Sequence, residues 1–206
     1  MNTGKFDAVI VANGLFPTHP VPLHILRQAA HVVCCDGAVS HVPTAEAIVG
    51  DGDSVPPEHR HRLILVDEQD DNDLTKATRY CLAQGWHALA YIGATGLRED
   101  HTIGNMGLLM RYYRQMGVHG VMFTDHGSMT PASGHTEFRS FKGQQVSIFN
   151  FGSRHLASQG LKWQSYAYDE WWQGTLNEAL GNSFSIHADG CYLVYQTYEA
   201  KSLPQP

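Results

Sequence analysis

Residues Val66 to Ala77, "VDEQDDNDLTKA", carry five acids (Asp67, Glu68, Asp70, Asp71 and Asp73) and a single lysine, Lys76. Carboxylates this crowded repel one another, and some retain a proton near neutral pH unless a cation joins them. Two further segments offer matching chemistry. "GDGDSV" sets Asp51 and Asp53 one residue apart, so on an extended backbone both side chains point at one cation. "GATGLREDHTIGN" combines a glycine-rich approach, a guanidinium fork at Arg98, Asp100 two residues on, and His101 one helical turn before Asn105.

Each segment also has an ordinary structural explanation. Aspartates in a turn bond their own backbone. An acidic helix cap followed by an i,i+3 ion pair accounts for Asp73 and Lys76, though not for five acids. Residues Arg98 to His101 can simply open a helix, with Asp100 a favourable N-terminal charge. Together, however, the segments supply hard oxygen ligands, a lysine, an arginine and a glycine loop. Magnesium takes one or two carboxylates and completes its shell with phosphate oxygens and water. Lys76 would then hold a phosphate oxygen directly. That is the equipment for moving a phosphoryl or pyrophosphoryl group from a magnesium–nucleotide. The sequence has neither GxxxxGK[ST] nor GxGxxG, so phosphate must be held by other means.

These residues need elements to position them. Across residues 1–125, apolar runs alternate with helix-like segments. The runs are "AVIVANG" (8–14), "HVVCCDG" (31–37), "AIVGDGDS" (47–54), "LILVDEQ" (63–69), "ALAYIGATG" (88–96) and "VMFTDHG" (121–127). Their near-continuous apolar character predicts parallel strands covered on both faces. "PLHILRQAA" and "DLTKATRYCLAQG" read as helices, the second running from an acidic cap to Gly85, and a longer helix is predicted from about Glu99 to Met116. The alternation predicts an α/β fold with a parallel, Rossmann-like sheet. Nearly every run ends in Gly, Asp or Asn. Ligands of open parallel sheets bind beyond the carboxyl ends of the strands, so these acids are expected along one ligand-facing edge.

After about residue 126 the texture changes. "GSMTPASGHTEF" reads as a turn-rich connection. "TEFRSF", "QQVSIFNF", "GLKWQSYAY", "NSFSIHA" and "CYLVYQTYE" then predict short antiparallel strands of a small β-sandwich domain. Trp163 lies in an alternating stretch and is read as core. Trp171 and Trp172 are read as sandwich core or interface, unless these rings face a cation.

Composition excludes several classes. A net charge of −6 argues against a general nucleic-acid binder. No apolar stretch approaches the roughly 20 residues of a membrane span. The first apolar run is short and follows Asp7, which does not fit a signal peptide, so a cytoplasmic protein is expected. Cys34, Cys35, Cys81 and Cys191 form no CxxC pair, and the first two read as reduced core residues. The 13 histidines are scattered; His59 and His61 would share one face of a strand, without an expected metal role.

The order of "CDGAVSHV", "GDGDSV", "EQDDNDLTKA" and "GATGLREDHTIGN", with "GLKW" and "GTLNEA" further on, resembles the thiamine pyrophosphokinases over nearly the whole chain. The resemblance implies transfer of the β,γ-pyrophosphate of ATP to the thiamine hydroxyl, giving thiamine diphosphate and AMP. It implies an ATP- and magnesium-binding catalytic domain over 1–125, a thiamine-binding and dimerisation β-sandwich over 126–206, and a homodimer with sites between subunits. It assigns the Mg2+ and phosphate shell to Asp36, Asp51, Asp53, Asp73 and Asp100. Gln69 and Asp70, Lys76, Arg98 and Asn105 match further site positions. The Ser-Asn that the family often sets beside thiamine reads Thr175-Leu176-Asn177 here, and the threonine usual before the third aspartate is Asn72.

In that mechanism magnesium and Lys76 neutralise the triphosphate, Arg98 meets charge built up in the transition state, and Asp100 or Asp73 takes the alcohol proton. A magnesium-dependent glycosyltransferase using "GDGD" leaves "DNDLTK" and "GLRED" without a role. A non-catalytic nucleotide or thiamine sensor would suit a broken acidic shell, and this one is intact.

Overall fold

The computed structural model describes residues 5–200. The outermost residues of the two expected domains, 1–4 and 201–206, lie outside that range. The described chain divides into two compact units, Lys5–Asp125 and the part from His126 onward.

The first unit is a parallel sheet flanked by helices. Its strands are β1 (Ala8–Val11), β2 (Val32–Cys35), β3 (Ala47–Gly50), β4 (Leu63–Leu65), β5 (Ala88–Ile92) and β6 (His119–Phe123). They pair in the order β4-β3-β2-β1-β5-β6, all parallel. Chain order therefore reverses between β1 and β5. Ala8, Val9, Ile10 and Val11 are fully buried, as the unbroken apolar run predicts. β4 differs. It is a three-residue edge strand with Ile64 and Leu65 exposed, so the expectation of two covered faces fails there. His59 and His61 fall in a 3-10 turn, Pro57–Arg62, not on a strand, because the Pro56-Pro57 pair fixes φ and withholds ladder donors.

Helices α1 (Pro20–Arg27), α2 (Asp73–Ala83) and α3 (Glu99–Met116) complete this unit. The cap of α2 is Asn72, whose Oδ1 accepts from Thr75 N at 3.1 Å. Asp73 is thus the first residue inside the helix, and not its acidic cap. Leu74, Ala77 and Cys81 give α2 its buried stripe. α3 ends where Gly117 turns left-handed at φ 68.

The second unit is antiparallel. β7 (Gly127–Arg139), β8 (Gln144–Phe151), β10 (Asn177–Glu178) and β11 (Ser183–Ala200) lie in the order β10-β8-β11-β7, and β9 (Leu156–Gln159) pairs with β11. Three expectations are corrected. Residues 127–135 are the first half of a long strand and not a connection, since Ala132 and Ser133 pair with Tyr192 and Cys191. "NSFSIHA" and "CYLVYQTYE" are one strand whose register shifts between His187 and Cys191. Asp189-Gly190 looks like a turn in sequence and acts as an irregularity within β11. "GLKWQSYAY" is not a strand. Only the bridge Leu161↔Ala179 pairs it, and Asn177 holds its backbone instead. The core of this unit gathers Phe138, Ile148, Phe184, Ile186, Tyr192 and Val194.

Candidate active site

A cavity of about 310 Å³ opens in the parallel unit at the carboxyl ends of β1, β2 and β5. The heads of α2 and α3 close its sides through Asn72 to Leu74 and through Arg98, His101 and Asn105. This is where a sheet whose order reverses leaves a crevice.

Asp36 anchors the acidic wall. It follows β2, is 1% exposed, and takes a positive φ of 36 that non-glycine residues rarely adopt. Its Oδ2 accepts from Gly52 N at 3.0 Å. Its Oδ1 is buried with no hydrogen-bond partner among the described residues. Burial and then the neighbouring Asp73 push its pKa up to about 6, against the pull of the Gly52 N–H. The close fit depends on Gly50, because a Cβ there would collide with Asp36 Oδ1.

Asp36, Asp51 and Asp53 each offer an oxygen within 4.8 Å of the others. Both explanations of "GDGD" hold at once. Asp51 Oδ1 accepts from Asp53 N at 3.2 Å, as in a turn, and that bond is the main cause of its lowered pKa. The turn itself gathers the carboxylates. Asp73 lies across the cavity wall, 3.1 Å from the Nζ of Lys76, whose side chain is only 2% exposed. The Lys76 side chain is thus buried against the Asp73 carboxylate at the head of α2. Cys35 Sγ donates to Asp73 O at 3.5 Å, tying β2 to the head of α2.

The crowded acids therefore separate into two sets. Asp71 meets Arg111 at 2.6 Å and Arg79 at 3.4 Å, and Glu68 pairs with Arg79. These acids brace α2 and α3. Asp70 is exposed in the loop before α2. Gln69 donates to Asp67 O at 3.2 Å and its side chain helps lower the Asp51 pKa.

Arg98 stands at the cavity rim with its guanidinium spent on Asp100, Nε to Oδ1 at 3.1 Å and Nη2 to Oδ2 at 2.6 Å. Both are well exposed, and Asp100 lies outside the three-carboxylate group. Asn105 is nearly buried, donating Nδ2 to Ala94 O at 2.7 Å.

The antiparallel unit has its own cavity of about 300 Å³, lined by Trp163, Tyr166, Tyr168, Gln173, Thr175 and Asn177 among others. Asn177 is buried and clasps the Trp163 backbone, accepting from its N–H at 3.1 Å and donating to its C=O at 2.8 Å. Thr175 is exposed and donates to Trp172 O at 2.7 Å. The reading of Trp163 as core is overturned, since its side chain is 54% exposed. The alternation around it came from a loop and not from a strand, so period carried no information about its facing. Trp172 is exposed too, while Trp171 packs on Phe149 and Phe151. Sequence reasoning missed Gly50 and the outward facing of Trp163 and Tyr166. A glycine just ahead of the DxD pair was the available sign for the first.

Carboxylates at the ends of parallel strands, with a buried lysine beside them, define an α/β enzyme that handles phosphate groups. Comparison with known proteins gives the particular group. A family model described as "Thiamin pyrophosphokinase, catalytic domain" matches residues 23–119, and one described as "Thiamin pyrophosphokinase, substrate-binding domain" matches residues 127–195. The chain belongs to the thiamin pyrophosphokinase family. The solved thiamine pyrophosphokinase of Bacillus subtilis has a similar fold, with a TM-score of 0.76 at 18% identity over 92% of this chain and 98% of that one. The thiamin pyrophosphokinase of Candida albicans gives 0.76 at 14% identity over 94% and 90%. A thiamin pyrophosphokinase family protein of Enterococcus faecalis gives 0.73 at 22% identity over 93% and 99%. No curated protein sequence matches the chain.

Proposed function

We propose that the chain moves the pyrophosphoryl group of ATP to the hydroxyl of thiamine, releasing AMP. The observation that carries this reading is Asp36 Oδ1, a buried carboxylate oxygen without a partner, set in a three-acid group beside a buried lysine. A lone buried carboxylate oxygen is costly, and a divalent cation resolves it. The donor set is all hard oxygen, which suits Mg2+. Asp36, Asp51 and Asp53 would hold the ion, with Asp73 and Asp100 as further members of the shell that family resemblance supplies. An ion held there by Asp36, Asp51 and Asp53 would supply neutralisation of the triphosphate and polarisation of its phosphoryl oxygens.

The chain's own groups do the rest. Lys76 supplies a fixed positive charge for a phosphate oxygen. Arg98 exchanges Asp100 for phosphate, since its fork fits either anion. Its release frees the Asp100 carboxylate at the rim, where it or Asp73 receives the proton of the attacking alcohol. Gln69, Asp70 and Asn105 belong to the nucleotide side. Thr175 and Asn177, with the exposed face of Trp163, belong to the thiamine side, where an indole attracts the cationic thiazolium.

On this reading residues 1–125 form a Rossmann-like ATP and magnesium domain, supported by the reversal of strand order at β1 and β5. Residues 126–206 form a β-sandwich that binds thiamine and dimerises, supported by its exposed aromatic rings. The active species is a cytoplasmic homodimer with sites at the interface. No helix among the described residues is long and apolar enough to cross a membrane.

The test is direct. Purified protein with ATP, MgCl2 and thiamine should yield AMP and thiamine diphosphate in equal amounts, and EDTA should stop the reaction. Release of ADP, or binding of both substrates without AMP, overturns the proposal.

A further inference from the structure

The cavity of the parallel unit is enclosed by hydrogen bonds that run from element to element. The end of β1 is tied to the loop after β5 by backbone bonds, Gly14 N to Gly93 O at 2.7 Å and Leu15 N to Thr95 O at 2.8 Å. The end of β2 is tied to α2 by Cys35 Sγ and Asp73 O. Between the glycine loop and α2 the perimeter is closed by two side-chain amides. Asn105 Nδ2 donates to Ala94 O at 2.7 Å, and its Oδ1 accepts from Asn72 Nδ2 at 3.2 Å. Asn72 Oδ1 in turn accepts from Thr75 N at 3.1 Å and from Thr75 Oγ1 at 3.0 Å.

The direction of this relay is not arbitrary. A backbone C=O at Ala94 can only accept, so the Asn105 amide must present Nδ2 to it. A backbone N–H at Thr75 can only donate, so Asn72 must present Oδ1 to that. The two remaining amide ends then face each other as donor and acceptor. Both asparagines are fixed from opposite ends by main-chain groups. Asp71 reinforces the contact by reaching Arg111 on α3 at 2.6 Å. Residues 71 and 72 thus both fasten the head of α2 to α3.

We infer that Asn105 and Asn72 are positioning residues for the transfer reaction. They hold the Gly93–Gly96 loop and the head of α2 at a fixed separation. Asn105 lines the cavity and acts on the nucleotide side by joining the loop to the helix, since its Nδ2 and Oδ1 each bond within the protein. The inference rests on the proposed site, since it assigns the nucleotide phosphates to the cavity this relay encloses. A threonine at position 72 would keep a cap oxygen but is too short to span to Asn105, so the bridge needs the asparagine amide.

The experiment compares wild type with Asn105→Asp, Asn72→Thr and the double variant, all in the full chain. Asn105→Asp has nearly the same shape but sets an acceptor against Ala94 O. It should lower kcat/KM for ATP about tenfold or more, because a buried polar group loses its partner. KM for thiamine should stay unchanged. Asn72→Thr preserves the cap, so folding survives and the loss is smaller, about two- to fivefold. The double variant should lose less than the product of the two, as expected for residues that act as a unit. Hydrogen exchange at residues 93–98 gives a readout independent of activity, and Asn105→Asp should speed it with or without ATP. If Asn105→Asp fails to fold, Asn72→Thr and its exchange rates carry the test. Wild-type kinetics together with wild-type exchange in Asn72→Thr, or multiplicative losses in the double variant, overturn the inference. Inactive wild-type protein would instead overturn the proposed function, and the exchange rates would still decide the positioning role.

Discussion

The parallel unit buries the centre of its charged site, and the antiparallel unit displays its aromatic rings. In the first, Asp36 and Lys76 are almost fully buried, and the large exposed hydrophobics are aliphatic: Leu15, Ile64, Leu65, Leu97 and Ile103. In the second, Trp163, Tyr166, Trp171 and Trp172 are all at least 40% exposed and fall within ten residues of one another. On the proposed function, the difference follows from what each would hold. Like charges converge only if the backbone forces them together, which takes a strained φ at Asp36 and a missing side chain at Gly50. A flat cationic ring needs an open aromatic face, and that requires only a loop held still. Asn177 meets that need by binding the Trp163 backbone, which leaves the indole exposed to solvent.

The contrast breaks first at Gly50. A methyl there would occupy the place of Asp36 Oδ1, so the carboxylate would have to leave its position beside Gly52 N. Gly50→Ala should lower kcat/KM by about 100-fold or more, the scale of losing a preorganised electrostatic group. Thermal stability should fall as well. Asp36→Asn is the companion variant, which keeps the shape and removes the charge. It should show the kinetic loss with less destabilisation, because a carboxylate without a partner is itself unfavourable. Near-normal turnover of Gly50→Ala would mean that the buried pose of Asp36 is not the reacting one.

Trp163→Ala probes the other side. The ring is open to solvent, so its removal should leave the melting temperature almost unchanged. KM for thiamine should rise about tenfold, as expected for a cation–π contact of about 1–2 kcal/mol, with KM for ATP unaltered. Lys162 complicates the picture, since its Nζ lies 4.9 Å from the same ring centroid. Lys162→Met should then lower KM for thiamine by removing a competing cation. A Trp163→Ala protein with a clearly lowered melting temperature and an unchanged KM for thiamine would return the tryptophan to the core.

These two variants also mark the limit of what the sequence made legible. The parallel unit was readable because burial on two faces writes itself as continuous apolar runs, and strand ends are punctuated by Asp and Gly. The range Glu99–Met116 of α3 could be read directly, with its glycine stop just beyond. The fate of the acids was not readable. Asp71 and Asp73 are alike in sequence, yet one meets Arg111 and Arg79 and the other faces the cavity. Those partners come from α3 and from the next turn of α2, contacts that only the packed helices define. In the antiparallel unit, alternation misled at "GLKWQSYAY" because a loop held by side-chain amides can mimic a strand. Asp189-Gly190 misled in the opposite direction, because a strand can absorb turn residues as an irregularity.

The smallest effect is expected at that irregularity. Asp189 Oδ1 accepts from Arg154 N at 2.8 Å and His155 N at 3.0 Å, and its Oδ2 meets His155 Nδ1 at 2.9 Å. The His155 N–H and ring, followed by the Arg154 N–H, hold its pKa down at about 2, against an ordinary 3.8. A carboxyl group with a depressed folded pKa stabilises the fold above its unfolded pKa and loses that contribution as pH falls through the folded value. The contribution is therefore full above about pH 4, shrinks below 3.8 and is gone near 2. The carboxylate is exposed, so water and salt screen it and the effect is small. Asp189→Asn should leave both KM values and kcat unchanged, because nothing near it lines either cavity. It should lower the melting temperature slightly at neutral pH, and the gap to wild type should close as the melts are repeated toward pH 3. A gap that stays constant with pH would assign the role of Asp189 to its shape in the turn and not to its charge. Altered thiamine kinetics in this variant would do more. They would show that the long strand β11 transmits strain to the aromatic loop, and that the display of Trp163 depends on more than the clasp of Asn177.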